Sequence, residues 1–144
     1  MIQAEKVHGI LRNLDTYVGH LRSLAALDKA ALLADFTKTG SLRYYLQVSI
    51  ESCLDLANHL IAAQALRPPK DYADAFAVLG EATLVPPDFV PTLQKMARLR
   101  NRLVHLYWEV DDETLHGFVK TQLADFDRFK ACVIKLLPKD DLGS

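Results

Sequence analysis

The sequence predicts an all-α protein, an antiparallel four-helix bundle with one or two short extra helices. Apolar residues recur at spacings of three and four over the long segments, and no segment shows the alternating pattern of a β-strand. Hydrophobic residues make up 50% of the 144 residues, whereas only 6 are Gly and 6 are Pro, as is typical of a packed helical protein. We expect one domain over residues 1–137 and a frayed C-terminal tail over residues 138–144.

The first two long helices are predicted over residues 2–27 and 41–66. The first carries an apolar seam with a 4-3 repeat, which suits antiparallel helix packing, at Ile10, Leu14, Tyr17, Leu21 and Leu24. Between the long helices, a short helix capped by Asp28 is predicted to end near Phe36, and residues 37–40 are predicted to form a turn.

The second long helix is predicted to be central, because apolar residues occupy two of its sides. One stripe comprises Leu42, Leu46, Ser49, Cys53, Leu56 and Leu60, and the other comprises Ile50, Leu54, Ala57 and Ile61. The polar face carries Arg43, Glu51, Asp55 and His59. We expect His59 to be solvated or bonded to Asp55 rather than to line a site.

Prolines interrupt the second half of the chain. Breaks are predicted at residues 67–71 and 85–88, with a short helix between them that is capped by Asp71. The inward residues of this short helix are Tyr72, Phe76 and Leu79.

Two further helices complete the predicted bundle. One begins within residues 88–92 and continues to Trp108. The last is capped by Asp111 or Asp112 and runs to about Leu137. Its inward residues are Leu115, Val119, Phe126, Phe129, Val133 and Leu136.

Charge and cysteine content argue against several classes of function. The formal net charge is −1, so no global field attracts nucleic acid, and any RNA contact depends on a local patch. Cys53 and Cys132 lie in helical patterns, which predicts free thiols rather than a disulfide framework or a zinc site. The N-terminus lacks the layout of a signal peptide and no apolar run approaches about 18 residues, so we expect a cytoplasmic protein.

Residues 98–108 form the candidate site. They hold three arginines, a histidine, a tyrosine and the single tryptophan of the chain, and no acidic residue lies between Val90 and Trp108. A local cationic patch in a near-neutral chain is a candidate anion site. On a helix through this stretch, one face carries Arg98, Asn101, Arg102 and His105, and the opposite apolar stripe carries Met96, Leu99, Leu103 and Leu106.

Arg100 and His105 are five positions apart and therefore point about 140° away from each other on a straight helix. By the same geometry Arg100 shares a third face with Tyr107. Arg100 and His105 can act on one phosphate if the helix distorts or if a second copy of the helix contributes. A symmetric dimer would supply that second copy, because its interface presents the same patch twice.

Cleavage of RNA without a metal needs a base near the 2′-hydroxyl, an acid near the leaving oxygen and positive charge for the phosphorane. His105 suits proton transfer near neutral pH, and Arg100 offers a planar fork of donors to phosphate oxygens. Asn101 is a candidate to orient the His105 ring or to bond the phosphate, and Arg98 and Arg102 are candidates for phosphate binding. No His or Cys lies three or four positions from His105, so we expect no metal site and no cofactor.

The spacing Arg-x4-His-x-Tyr, read as Arg100, His105 and Tyr107, resembles the motif of HepT-like toxins, which are ribonucleases of the HEPN superfamily. Segments 43–61 and 100–111 are similar to that family's second helix and core block, and the resemblance covers nearly the whole chain. It implies a HEPN-like bundle and a metal-independent endoribonuclease toxin of a type II toxin–antitoxin pair. It also implies a catalytic site composed across a homodimer, with tRNA as a candidate substrate.

The resemblance further implies regulation by a partner. In HepT-like systems a small nucleotidyltransferase, the MntA-like antitoxin, transfers AMP from ATP to the motif tyrosine, which corresponds to Tyr107. A competing prediction is a non-catalytic nucleotide- or substrate-binding partner of a nucleotidyltransferase, since arginines bind phosphate equally well without cleaving it. The intact Arg-x4-His spacing favours the nuclease, because a binding protein has no need of the histidine.

Overall fold

The computed structural model describes residues 1–138, and residues 139–144, which include most of the predicted tail, lie outside the described part. Seven α-helices and no β-strand make up residues 1–138, which confirms the predicted all-α class. They are α1 (Ala4–Ala25), α2 (Lys29–Ala34), α3 (Phe36–Ala63), α4 (Tyr72–Glu81), α5 (Val90–His105), α6 (Asp112–Thr121) and α7 (Leu123–Ile134). Two 3₁₀ turns, Pro87–Phe89 and Tyr107–Glu109, flank α5. No helix in the described part is both long and apolar enough to span a bilayer.

α3 is the central helix, as its two apolar stripes predict. Every residue of both stripes is buried, and α3 packs against α1, α4 and α5 as well as α6 and α7. Complete burial of a Leu or Ile side chain contributes about 1.5–3 kcal/mol relative to exposure, which outweighs the modest helix propensity of the Ser residues in α3. Phe76 of α4 and Phe129 of α7 meet edge to face in the core, with ring centroids 5.7 Å apart.

The α1 seam is displaced from the predicted one. The buried stripe comprises Val7, Leu11, Leu14, Val18 and Leu21. The predicted seam shares Leu14 and Leu21 with it, whereas its other three members are half-buried at the flank. Both sets keep the 4-3 repeat, so periodicity alone does not determine which one is buried. The position of α3 against α1 determines it.

The predicted turn at residues 37–40 is wrong, because α3 begins at Phe36 and passes through it. The Asp35 carboxylate accepts a hydrogen bond from the Thr37 backbone N–H at 2.9 Å and caps the helix. Gly40 costs a helix about 1 kcal/mol relative to Ala. The Asp35 cap and the packing of the following turns offset that cost.

Other helix boundaries follow the prediction closely. The side chains of Asp28, Asp71 and Asp111 each accept a backbone hydrogen bond at the start of α2, α4 and α6, so all three predicted caps are confirmed. The proline-containing breaks at residues 67–71 and 85–88 also separate helices, as predicted.

The predicted last helix is interrupted at Gln122, which ends α6 and precedes α7. Neither Gly nor Pro occurs within residues 118–125, so the sequence carries no local signal for this break. α7 ends at Ile134, before the predicted end near Leu137. The predicted inward residues of the last helix are buried except Leu136, which lies beyond α7 and is half-buried, while Leu137 is buried instead.

α4 and α5 approach each other closely at Gly80. A Cβ at this position would lie 2.5 Å from Cγ2 of Val90, the first residue of α5, so a larger residue does not fit without movement. At the other end of the same antiparallel pair, Tyr72 lies against Arg100. Tyr72 was predicted to face inward, but it is 43% exposed because its ring covers the edge of α5 rather than the core.

Candidate functional site

α5 ends at His105, three residues before the predicted end at Trp108. Leu106 leaves the helical conformation with φ −135° and ψ 40°, and the 3₁₀ turn Tyr107–Glu109 follows. Tyr107 is therefore not on α5, and the predicted face shared by Arg100 and Tyr107 is wrong. Leu106 is exposed instead of completing the apolar stripe, whose other members are buried or half-buried.

The early end of α5 is fixed by arginines from two helices. The Arg43 guanidinium of α3 donates hydrogen bonds to the carbonyl oxygens of Tyr107, at 3.1 Å, and of Val110. It also donates to the Asp112 carboxylate at 2.9 Å. Arg102 of α5 donates to the Glu109 carbonyl at 3.2 Å. These bonds satisfy carbonyl groups that a continued helix would have paired internally.

Arg100 points inward toward α3 and α4. Its side chain is only 15% exposed, and Nη2 lies 3.6 Å from the Glu51 carboxylate. The guanidinium carbon is 5.0 Å from the centre of the Tyr72 ring, a cation–π contact. Gln47 donates a hydrogen bond of 2.8 Å to the other oxygen of Glu51, so the carboxylate is held in place from both sides.

Arg100 keeps unused donors. Its Nη1 donates at 3.3 Å to the side-chain oxygen of Asn101, and its Nε is buried without a partner among the described residues. Asn101 accepts this bond through its side-chain oxygen, and its two predicted roles, orienting the His105 ring or bonding the phosphate, stay predictions. A guanidinium carries five N–H donors, so this one retains capacity to bind an anion.

A small polar cavity of about 120 Å³ adjoins Arg100. It is lined by Glu51, Leu54, Asp55, Asn58, Tyr72 and Arg100. Burial raises the pKa of the Asp55 carboxyl, and the negative charge of Glu51 raises it further, while Lys6 and Arg100 act in the opposite direction. The cavity is thus a place where two carboxylates and one guanidinium share a partly desolvated space.

His105 lies at the exposed end of α5. Within residues 1–138 its side chain forms no hydrogen bond or ion pair, so its ring nitrogens are available to a ligand. Arg98 and Arg102 are also exposed, and Arg102 uses one of its donors at Glu109. The structure therefore places two predicted site residues on the surface beside His105 and turns Arg100 toward α3.

The cysteines and the acidic residues form no metal centre in the described part of the chain. No group of three or more His, Cys, Asp or Glu side chains is placed there to hold a metal ion. Cys53 is buried, which raises the pKa of its thiol, and Cys132 is half-buried; both are free. His59 was expected to be solvated or bonded to Asp55; instead it accepts a hydrogen bond from the Gln3 backbone N–H at 3.1 Å.

Sequence reasoning placed Glu51 and Arg43 on the polar face of the central helix without assigning them a role. Both contact the candidate site, Glu51 through Arg100 and Arg43 through the turn after α5. The available signal was their position: they lie eight residues apart on the one polar face of a helix that is otherwise buried. Charged groups on such a helix need partners from a neighbouring element.

The all-α bundle and the motif Arg-x4-His-x-Tyr, which begins at Arg100 on α5 and ends at Tyr107 on the following 3₁₀ turn, are those of the HEPN class of toxin domains. The family profile described as "Ribonuclease HepT-like" matches residues 14–133, and the chain belongs to this family. The predicted family and the predicted endoribonuclease class are thereby confirmed.

Two sequence relatives carry the same family name. The chain is 34% identical to the mRNA nuclease HepT of Shewanella oneidensis over 71% of this chain and 77% of the relative. It is 26% identical to the tRNA nuclease HepT of Aphanizomenon flos-aquae over 70% of this chain and 69% of the relative.

Two solved structures resemble the fold across most of the chain. A toxin–antitoxin structure with AMP-PNP superimposes with a TM-score of 0.83 at 28% identity, covering 91% of this chain and 98% of that one. A tri-AMPylated HEPN toxin from Shewanella oneidensis in complex with an MNT antitoxin also gives a TM-score of 0.83 at 28% identity, covering 95% of this chain and all of that one.

Proposed function

We propose that this protein is the metal-independent endoribonuclease toxin of a type II toxin–antitoxin pair, with Arg100 and His105 as its catalytic residues. The observation that carries the proposal is the position of His105. It is an exposed imidazole that forms no hydrogen bond or ion pair with the described residues, at the end of a helix that carries four cationic side chains and no acid. The names of the two relatives, an mRNA nuclease and a tRNA nuclease, support RNA as the substrate.

In the proposed reaction the RNA 2′-oxygen attacks the adjacent phosphorus and the 5′-oxygen leaves, which yields a 2′,3′-cyclic phosphate. A base takes the proton of the 2′-hydroxyl and an acid gives a proton to the leaving oxygen. His105 from each of two protomers fills these two roles, because one imidazole begins the step neutral and the other begins it protonated. Arg100 stabilises the negative charge of the phosphorane through donors that the free protein leaves unused.

The composite site requires a homodimer in which two copies of α5 lie close together. The inward position of Arg100 and the exposed position of His105 support this arrangement. One copy of α5 directs the two side chains apart, so a second copy is needed to bring both to one phosphate. Subunit exchange tests it. Mixing wild type with excess His105→Ala protein should lower the cleavage rate per wild-type chain, provided that RNA is in excess. A rate per wild-type chain that stays constant, with a monomer in sedimentation, would refute the composite site.

Incubation of the purified protein with total RNA in EDTA tests the catalytic proposal as a whole. We expect cleavage to persist in EDTA and to be lost in His105→Ala. Binding of RNA or nucleotide without any cleavage, at all protein concentrations, would instead identify a non-catalytic partner of a nucleotidyltransferase. Cleavage that stops in EDTA and returns with added Mg²⁺ would contradict metal independence.

We further propose Tyr107 as the residue that the MntA-like nucleotidyltransferase antitoxin modifies with AMP. The Tyr107 side chain is 61% exposed on the 3₁₀ turn, directly beyond His105. In the reaction its oxygen attacks the α-phosphorus of ATP, pyrophosphate leaves, and the phenolic proton passes to solvent. The added phosphodiester would lie near Arg102, which holds the same turn through Glu109.

A further inference from the structure

An exposed turn that carries two aromatic side chains follows α5, and we call it the aromatic turn. We define it as Leu106, Tyr107 and Trp108. Trp108 is 67% exposed, and its ring meets that of Tyr107 edge to face, with centroids 5.3 Å apart and an interplanar angle of 80°. Trp is the largest apolar side chain and is usually covered when it is not used for binding, so an exposed Trp packed on an exposed Tyr is a candidate ligand surface.

The aromatic turn stands on a fixed backbone. Arg43 binds the carbonyl oxygens of Tyr107 and Val110, and Arg102 binds that of Glu109. Val110, two residues after Trp108, is buried and anchors the aromatic turn to the core. A ring presented on such a backbone loses little conformational entropy when a ligand covers it, because the main chain is already ordered.

Charge around the turn indicates what kind of ligand would cover it. On its N-terminal side lie His105 and the cationic surface of α5, with no acid back to Val90. On its C-terminal side acids begin at once with Glu109 and Asp111. A ligand that fits therefore places an anionic group on α5 and a flat, uncharged group on the ring. A nucleotide in single-stranded RNA has both, since its phosphate is charged and its base presents a π-face.

We propose that Trp108 stacks on a base of the RNA substrate, next to the phosphate that α5 holds, and so determines which single-stranded segments are bound. This inference rests on the proposed ribonuclease function. Stacking on an aromatic ring tolerates many sequences but requires an unpaired base. The aromatic turn therefore favours loops and unpaired ends over duplex RNA.

The single tryptophan of the chain makes the proposal directly measurable, because all indole fluorescence comes from Trp108. The full-length His105→Ala protein binds RNA without cleaving it and is titrated with a short single-stranded RNA of mixed sequence. We expect the fluorescence to be quenched with the same midpoint as binding followed by anisotropy of a labelled RNA. The same RNA as a blunt duplex should bind at least about tenfold more weakly, since its bases are already stacked.

Variants of Trp108 in the His105→Ala background give the second measurement. Trp108→Leu should weaken the binding of single-stranded RNA about tenfold, and Trp108→Phe should retain most of the affinity because an aromatic face remains. Phe36→Leu is the matched control, as Phe36 is 85% exposed at the start of α3 and belongs to neither α5 nor the aromatic turn, and should change affinity less than about twofold.

The outcomes separate this inference from the function on which it rests. If RNA is cleaved by wild type but Trp108→Leu binds RNA as tightly as its parent, stacking is overturned and the ribonuclease stands. If no RNA is bound or cleaved by any variant, both fail. Fluorescence that changes with protein concentration alone, together with a dimer that dissociates in Trp108→Leu, would place the turn in the interface between two copies and also overturn the proposal.

Discussion

The guanidinium of Arg100 lies 3.6 Å from the carboxylate of Glu51, and this ion pair connects α5 to the central helix. Gln47 fixes the second oxygen of Glu51, and the Tyr72 ring supports the guanidinium from below. Arg100 is thus held by residues of two other helices, α3 and α4, before any substrate arrives. Fixing a charged group in advance lowers the cost of aiming it at a transition state.

We expect Glu51→Gln to lower kcat about tenfold while KM stays equal or falls. Loss of the ion pair lets the guanidinium leave its position over Tyr72, which impairs the chemical step. Loss of a negative charge beside a phosphate site favours RNA binding and therefore lowers KM. Initial rates over a range of RNA concentrations separate the two constants.

Asp55→Asn is the matched control for Glu51→Gln. Asp55 lines the same cavity one turn further along α3, but among the described residues it forms no ion pair with Arg100. We expect Asp55→Asn to leave both constants within about twofold of wild type. A kcat that rises in Glu51→Gln would mean that Glu51 sequesters Arg100 rather than positions it.

The two proposed catalytic residues should differ in their effect on stability. His105→Ala and Arg100→Ala should each lower cleavage at least about 10²-fold, the scale for a positioned proton-transfer group or a charge-stabilising donor. His105 is exposed and unengaged, so its removal should leave the melting temperature unchanged. Arg100→Ala removes the ionic partner of Glu51, which keeps only its hydrogen bond from Gln47, and should destabilise the fold by about 1 kcal/mol.

Arg98→Ala separates binding from catalysis at this site. Arg98 is exposed on α5, and we expect its loss mainly to raise KM, with a smaller effect on kcat than either catalytic substitution. Cleavage rates and thermal melts of all three variants together check these expectations. Near-wild-type cleavage by His105→Ala would remove the imidazole from the mechanism.

Arg43→Ala should cost about 2 kcal/mol of the free energy of unfolding, since hydrogen bonds from a charged group contribute about 1.5–3 kcal/mol. The Arg43 side chain is 27% exposed and satisfies the carbonyl groups that follow α5. Urea denaturation measures the loss, and hydrogen exchange should increase at residues 106–112. Arg22→Ala, which breaks an exposed pair with Asp127, should cost less than about 1 kcal/mol. Equal losses in the two variants would contradict the anchoring role of Arg43.

We expect the attachment of the N-terminal segment before α1 to depend on pH through His59. Desolvation lowers the pKa of His59, and the positive charges of Lys6 and the N-terminus lower it further, so the neutral ring that accepts from Gln3 is favoured in the fold. Its stabilisation is complete above the unfolded pKa of about 6.5 and is lost as pH falls through the lower folded value. We expect wild type to exceed His59→Leu in unfolding free energy by about 1 kcal/mol at pH 7.5, and the difference to shrink at pH 5. A difference that grows on acidification would contradict this sign.

Helical periodicity predicted the existence of the main helices and the buried faces of α3, because those features depend on local spacing. It failed where distant residues decide the outcome. The end of α5 at His105 is fixed by Arg43, which is more than 60 residues away in sequence. The break at Gln122 likewise has no Gly or Pro within residues 118–125 to signal it.

The site was predictable in composition but not in arrangement. The chemical properties of the Arg100, His105 and Tyr107 side chains can be inferred without knowing the fold, and the spacing of these residues identified the family. The inward position of Arg100 depends on Glu51 and Tyr72, which lie on two other helices. The position of Tyr107 depends on the break after His105, which moves the tyrosine off the helix on which spacing had placed it.

Under the proposed AMP transfer, Tyr107→Phe should make the protein insensitive to the proposed nucleotidyltransferase antitoxin while leaving cleavage largely intact. The phenol is not the proposed base, and the ring remains available in the aromatic turn, so the cleavage rate should stay within a few-fold of wild type. Phenylalanine offers no oxygen to attack ATP, so incubation with the partner nucleotidyltransferase and ATP should neither add AMP nor inhibit cleavage. Intact-mass analysis measures the first effect and an RNA cleavage assay the second.

Tyr44→Phe is the control that assigns the modification to the turn rather than to exposed tyrosines in general. Tyr44 is 56% exposed, comparable to Tyr107, but it lies on α3 and not on the turn beyond the cationic helix. The Tyr44→Phe protein should therefore gain AMP and lose activity like wild type. Equal AMP addition to wild type and Tyr107→Phe would move the modification elsewhere. Inhibition of Tyr107→Phe without any added mass would show that the partner blocks the site by binding alone, since an unmodified toxin retains the free anion site that RNA needs.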